Sequence, residues 1–414
     1  MTEHQIGELL LEFALLFALT YLLAGLLERV HIPGILGALF VGMVIHYLPL
    51  GGRLLSPPLS VPISFLAELG VLFLLFFIGL QIDLEEMKEL RGDIVWLTVL
   101  NTAFPFVFGI IVMLMLGYGW ILALVIGLTR MPTAEAVIVP ILDEFKLIRT
   151  RVGSFIIGAG VLDDVVEVIV ISVVSIWIGK KTGQMTAGIT GVVAALVIFV
   201  LLSWISYRWI IPVLARWLPS RPRNLVLLSM VVMLGLGGFS EFGNLGMVVG
   251  AIVAGTLMRP TFNRMKGVGE QVTQAVRSMS YGFLGVIFFF WVGLNADIGG
   301  MVKEPVLAIL LFLAAFLGKL IGVFFMVPMG KITIREAWTI GIGLNARLTT
   351  EIIVAQLLFT AGIIDIHLFT ALVSASAFST LAVPLTFVLL VRLWGKQLRI
   401  PIEESQPEGG SNVA

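Results

Sequence analysis

The chain has 414 residues, of which 59% are hydrophobic and 13% charged, and its formal net charge is +0. Soluble domains carry about 25% charged residues, so this composition excludes an ordinary soluble protein and points to a polytopic membrane protein. The cysteine count is 0, which excludes disulfides, thiolate metal sites and cysteine nucleophiles.

The N-terminus, MTEHQIGELLLEF, lacks a basic n-region, so no cleavable signal peptide is expected. Apolar runs of spanning length then follow at 6–28, 34–49, 62–82, 94–116, 119–142, 152–178, 186–207, 225–240, 244–258, 278–296, 305–327, 337–360 and 367–392. These are thirteen predicted segments, several near the lower limit of the roughly 17–25 residues that cross a bilayer. The polar stretch 401–414 reads as a disordered tail.

The least certain division, between segments 8 and 9 at GFSEFGN (238–244), is decided by an internal duplication. An offset of 213 pairs Gly25 with Gly238, Glu28 with Glu241, Gly37 with Gly250 and Gly42 with Gly255. At 214, GLQID (79–83) meets GLNAD (293–297), and at 216, GLTRMPTAEAVIV (127–139) meets GLNARLTTEIIVA (343–355). Segments 1–6 and 8–13 are therefore two repeats with segment 7 between them. A shift of seven segments is odd, so the repeats run in opposite directions across the membrane. The expected fold is an all-α polytopic membrane protein of 13 transmembrane helices in two inverted six-helix repeats, a transporter signature with its site near the midplane.

Loop charges orient the chain. Lys and Arg concentrate in the connections after odd-numbered segments and at the C-terminal end, including Lys146, Arg149, Arg151, Arg208, Arg216, Arg221, Arg223, Lys331 and Arg335. The opposite side holds Arg53, Lys180, Lys181 and Lys303. The N-terminus is accordingly expected outside and the C-terminus in the cytoplasm.

Segment 5 carries TRMPT (129–133) at its middle, where Pro132 lacks an N–H and clashes with the preceding turn. Segment 12 carries LNARLTT (344–350) at the matching place. Paired interruptions in the two halves are the best sequence pointer to a binding site, so segments 5 and 12 are expected to be discontinuous and to cross. Each holds an Arg and a Glu: Arg130 with Glu135, and Arg347 with Glu351. Each Glu is expected to pair with the other segment's Arg, with pairing within a segment as the alternative.

Segment 6 places Asp163 and Asp164 side by side, with Glu167 one turn on, in an otherwise apolar run. One charged residue at a bilayer centre costs roughly 2.5–3.5 kcal/mol on insertion scales, and such carboxylates usually bind or relay ions and protons. Lys319, mid-way along segment 11, needs a partner to keep its charge, and these acids are the candidates. The mates of Asp163 and Asp164 in the second repeat are Ser379 and Thr380, so one transport site per chain is expected.

Taken together, the Asp-Asp pair in segment 6, the mid-helix Lys in segment 11, the Thr-containing break in segment 5 and N-A-R-x-x-x-E-I-I-V (345–354) resemble the monovalent cation/proton antiporter family, the sodium–proton exchanger fold of Asp-Asp electrogenic type. The resemblance covers nearly the whole chain. It implies scaffold and dimerisation segments over 1–93 and 225–302, a moving core over 94–180 and 303–400, a linker over 181–224 and a tail over 401–414. It also implies that Asp164 carries the monovalent cation and the proton, that Asp163 is salt-bridged to Lys319, and that Thr133 lies beside the site. Glu167 and Asn345 are expected to support these residues rather than to ligate the ion.

The function expected is secondary active antiport, not enzymatic catalysis. A monovalent cation, Na+ favoured over K+ or Li+, exchanges for protons by an elevator-like motion in the plasma (inner) membrane. No cofactor and no nucleic acid are expected, and the partners are the cation, H+, membrane lipid and a second copy of the chain through segments 1–3 and 8–10. Two adjacent acids titrate as a coupled pair, and release of Lys319 as Asp163 changes partner would make the exchange electrogenic. The alternatives are a potassium/proton antiporter or potassium efflux protein and, more remotely, a sodium-coupled organic solute symporter. An intramembrane aspartyl protease would need a Gly-x-Gly-Asp motif, which is absent.

Overall fold

The computed structural model describes residues 3–29, 33–82, 84–164, 166, 189–217, 219, 221–243, 245–265, 267–347, 349–360 and 362–398. Among these residues every regular element is helical. Among the described residues eight helices are long and apolar enough to cross a membrane: Glu3–Arg29, Ser60–Gln81, Glu89–Met115, Val193–Trp217, Pro222–Phe242, Val268–Asn295, Pro305–Phe324 and Ile366–Gly395. Their outward residues are large and apolar, as in Leu11, Tyr21, Trp204 and Leu393, because lipid rather than water solvates them. Shorter helices lie in the described parts of the remaining predicted segments. Segment 2 is Leu36–His46, and residues 151–164 form the described part of segment 6.

One boundary falls where the sequence reading puts it, and another differs. Segments 8 and 9 are separate helices, Pro222–Phe242 and Met247–Arg264, and the Glu241 carboxylate accepts the Met247 N–H to cap the second. Segment 10 begins about ten residues early, because Val268–Met279 is helical and runs on through a π turn at Ser280–Leu284. That stretch looks like polar loop, but Gly269, Val272 and Val276 form a buried stripe at helical spacing.

The chain divides into two compact units. The first comprises Met1–Leu80, Asp164–Phe312 and Arg347–Thr380. Its helices meet at glycines so close that no side chain would fit. A Cβ on Gly42 would lie 2.2 Å from the Phe290 carbonyl oxygen, and one on Gly255 would lie 2.1 Å from that of Phe76. Gly79 and Gly293 answer them on the facing helices, where a Cβ would lie 2.3 Å from Ile252 O and 2.0 Å from Leu39 O.

The second unit comprises Gln81–Asp163, Leu313–Ala346 and Leu381–Ala414. Leu84–Met115 and Trp120–Thr129 form a tight pair whose turn passes through Gly117 at φ +82°, a conformation that costs glycine nothing. Pro305–Phe324 packs on the same long helix through Gly318, which faces Pro105, and Gly322, which faces Leu100. The two glycines flank Lys319, so the lysine is carried to backbone-contact distance of the helix that bears Asn101.

Candidate functional site

The two interruptions are present. Trp120–Thr129 ends, residues 130–134 are non-helical, and Glu135–Glu144 resumes. Pro132 explains the break, since it cannot donate and disfavours helix in the residue before it. The second interruption separates Ile334–Gly343 from Thr349–Thr360 and contains no proline. Here the Asn345 amide donates to Gly341 O at 2.7 Å, in place of the backbone donor that carbonyl would meet in a continued helix, and to Phe316 O of the lysine helix at 3.2 Å.

Within the second unit the interruptions touch. The Ala134 N–H donates to Ala346 O at 2.7 Å, and Thr133 Oγ1 lies 3.2 Å from Leu344 O. Exposed helix ends inside a membrane must find such partners, and each break here supplies the other.

Asp163, 1% exposed, sits where three elements converge. Its Oδ2 accepts from Thr133 Oγ1 at 2.7 Å and from Asn101 Nδ2 at 2.9 Å, and Lys319 Nζ lies 3.6 Å away. Lys319, 0% exposed, also donates to Thr133 Oγ1 at 2.5 Å. One carboxylate oxygen therefore ties the break, the long helix and the lysine helix together. A buried carboxylate is tolerated only when paired and hydrogen-bonded in this way. Asp164, the next residue, is 8% exposed. Of the residues singled out in the sequence, Asp163, Thr133 and Lys319 are brought together. Asn101 was not singled out, and its only sequence signal is an amide inside an apolar run.

The four charged residues of the breaks are all buried. Arg130 fits beside Gly109, where a Cβ would lie 2.8 Å from its Cγ, and it donates to Thr129 Oγ1 at 3.0 Å. The Glu135 carboxyl rests on Gly160, one turn before Asp164 on its helix, where a Cβ would come within 2.4 Å of Oε1. In the first unit Arg347 Nη1 lies 3.4 Å from Glu351 Oε1, the pairing within a segment that was weighed against the crossed one. The Ser376 hydroxyl donates to Glu351 Oε2, and the Thr380 hydroxyl donates to Arg347 O. Ser376 is the repeat mate of Gly160, so both halves seat a glutamate against equivalent helix positions. Glu167 lies outside the described residues.

A family model described as "Sodium/hydrogen exchanger, transmembrane" matches residues 14–393. A Na(+)/H(+) antiporter of Enterococcus hirae is 27% identical over 86% of this chain and 91% of its own length. The Na(+)/H(+)-K(+) antiporter GerN of Bacillus cereus is 27% identical over 91% of this chain and 95% of its own. In structure, the sodium proton antiporter MjNhaP1 of Methanocaldococcus jannaschii superposes with a TM-score of 0.63 at 16% identity, covering 95% of this chain and 98% of that one, which shows a shared fold.

Proposed function

The chain belongs to the sodium/hydrogen exchanger family, and on that premise we propose that it exchanges a monovalent cation, Na+ first, for protons at Asp163 and Asp164. The observation that carries the reading is the buried carboxylate of Asp163 tied to a buried lysine across the paired helix breaks. Asp163 is held by Lys319, Thr133 and Asn101. Asp164, the buried acid beside it, is assigned to the ion. A site of this kind holds either a cation or protons, and competition between them is what couples the two flows.

Asp163 is the switching partner. When the cation arrives at Asp164, the Lys319–Asp163 pair opens, and Asp163 keeps two neutral donors. Movement of the lysine proton with each cycle makes the exchange electrogenic. Thirteen spans are proposed from the eight long helices together with Leu36–His46, the two broken pairs, the helix over 151–164 and Met247–Arg264. The inverted repeat is supported by the glycine contacts. The offsets of 213 and 214 exchange Gly42 with Gly255 and Gly79 with Gly293, so one crossing becomes the other. The motion proposed is elevator-like, with the core segments moving against the scaffold. The loop charges support a cytoplasmic C-terminus in the inner membrane, and segments 1–3 and 8–10 are proposed to pair with a second copy.

The relatives' names carry both Na+ and K+, so cation identity is the first measurement. In liposomes holding the protein and an internal pH dye, external Na+ should enter in exchange for luminal protons and alkalinise the interior, with a smaller response to K+ or Li+. Asp164→Asn should abolish the signal, and Asp163→Asn should leave exchange that no longer responds to membrane voltage. Full exchange by Asp164→Asn would sink the assignment of the ion, and unchanged voltage dependence in Asp163→Asn would sink the role given to the lysine pair.

A further inference from the structure

The exchange scheme uses Asn101 only as a donor to Asp163. Asn101 is 0% exposed and lies on the helix Leu84–Met115. Its Nδ2 donates to Asp163 Oδ2 at 2.9 Å. A carboxylate only accepts, so this bond determines which end of the amide is which. Oδ1 is the other end, and it is buried with no hydrogen-bond donor among the described residues.

The backbone adds a second oxygen at the same residue. Pro105 lies four positions on, inside the helix, and has no N–H to give. The Asn101 carbonyl therefore lacks its ordinary i+4 donor. Two oxygens of a residue already bonded to Asp163 are thus without their usual donors. Such groups are retained where something satisfies them. The cation proposed for this site is suited to the task, because hard monovalent ions replace their hydration shell with carbonyl oxygens.

The geometry points to Asn101 Oδ1 as a direct ligand of the transported monovalent cation, and so as a determinant of which cation is carried. The inference rests on the exchange reading above. It gives Asn101 two tasks at once, since the amide that grips the ion also holds Asp163 in place. Ion selectivity and the Lys319–Asp163 pair are then linked through one side chain.

The test compares Asn101→Leu and Asn101→Ser with the full-length wild-type chain in proteoliposomes, titrating Na+, Li+ and K+ separately. Loss of a ligand should raise the half-saturating Na+ concentration about tenfold. It should also change the ratio between Na+ and Li+, because the two ions differ in the cost of dehydration. A residue that merely positions Asp163 would lower the maximal rate or scale all ions by one factor, and its donor role would be restored by the serine hydroxyl. Unaltered ion ratios in Asn101→Leu, or wild-type ratios in Asn101→Ser, overturn the inference. If Asn101→Leu is purified but inactive, Na+-dependent thermal stabilisation in detergent decides: lost stabilisation supports the ligand role, and retained stabilisation refutes it. If that variant does not fold, the same measurement on Asn101→Ser decides in the same way. Absence of exchange by the wild type with any of the three ions would refute the exchange reading itself, a different failure.

Discussion

Replacing Lys319 by methionine keeps the length and apolar stem of the side chain and removes only its charge. At an effective dielectric constant of about 20, unit charges 3.6 Å apart attract by about 5 kcal/mol. Both partners are buried, at 0% and 1% exposure, so solvent does not replace what is lost. Asn101 and Thr133 remain as neutral donors to Asp163, and their presence keeps the loss within the range of about 3–5 kcal/mol seen when one half of a buried pair is removed. Lys319→Met should therefore be strongly destabilised. Adding Asp163→Asn removes the orphaned charge, and the double variant should regain most of the stability. The assay is a double-mutant cycle on detergent-purified protein, read by chemical denaturation or thermal melting with matched controls. A single variant that loses less than about 1 kcal/mol, or a double variant no more stable than Lys319→Met, would refute the view that this pair holds the site together.

Gly42→Ala and Gly255→Ala each force a Cβ to within 2.2 and 2.1 Å of a facing carbonyl oxygen, so each should destabilise by about 1–3 kcal/mol or more, whereas Gly52→Ala, which meets open space, should not; thermal melts compare all three. Gly160→Ala should displace the Glu135 carboxyl and slow exchange without unfolding the protein, and wild-type rates in proteoliposomes would argue against any role for that seat. Arg347→Glu should be rescued by Glu351→Arg, because the two pair within their segment, and transport restored by neither arrangement would count against the pair. Asn345→Ala leaves the carbonyls of Gly341 and Phe316 without the amide and should cost about 1 kcal/mol for each bond, measured by melting temperature.

The sequence by itself determined the membrane class, the principal acids, the lysine and both helix breaks. Transfer of a charge into hydrocarbon is so costly that Asp163, Asp164, Lys319, Arg130 and Arg347 stand out wherever the chain is otherwise apolar. Pro132 marks the first break for a similarly local reason, its missing N–H. The duplication was legible because it needs only identities at a constant offset. Helix ends were less so. The amphipathic turns from Val268 to Met279 look like loop until Val272 and Val276 are seen to be buried.

Only the tertiary structure decided who pairs with whom. Asn101 carries no charge, so its burial raises no alarm in the sequence, and its partner lies 62 positions away. Thr133, Asn101 and Lys319 meet on one oxygen of Asp163 because Gly318 and Gly322 let two helices approach to backbone contact. The second break was found by its repeat mate, but the turn of Asn345 onto Gly341 and Phe316 required the fold. Local composition encodes what each residue costs to bury. Which residue offsets that cost depends on distances that helix packing alone sets.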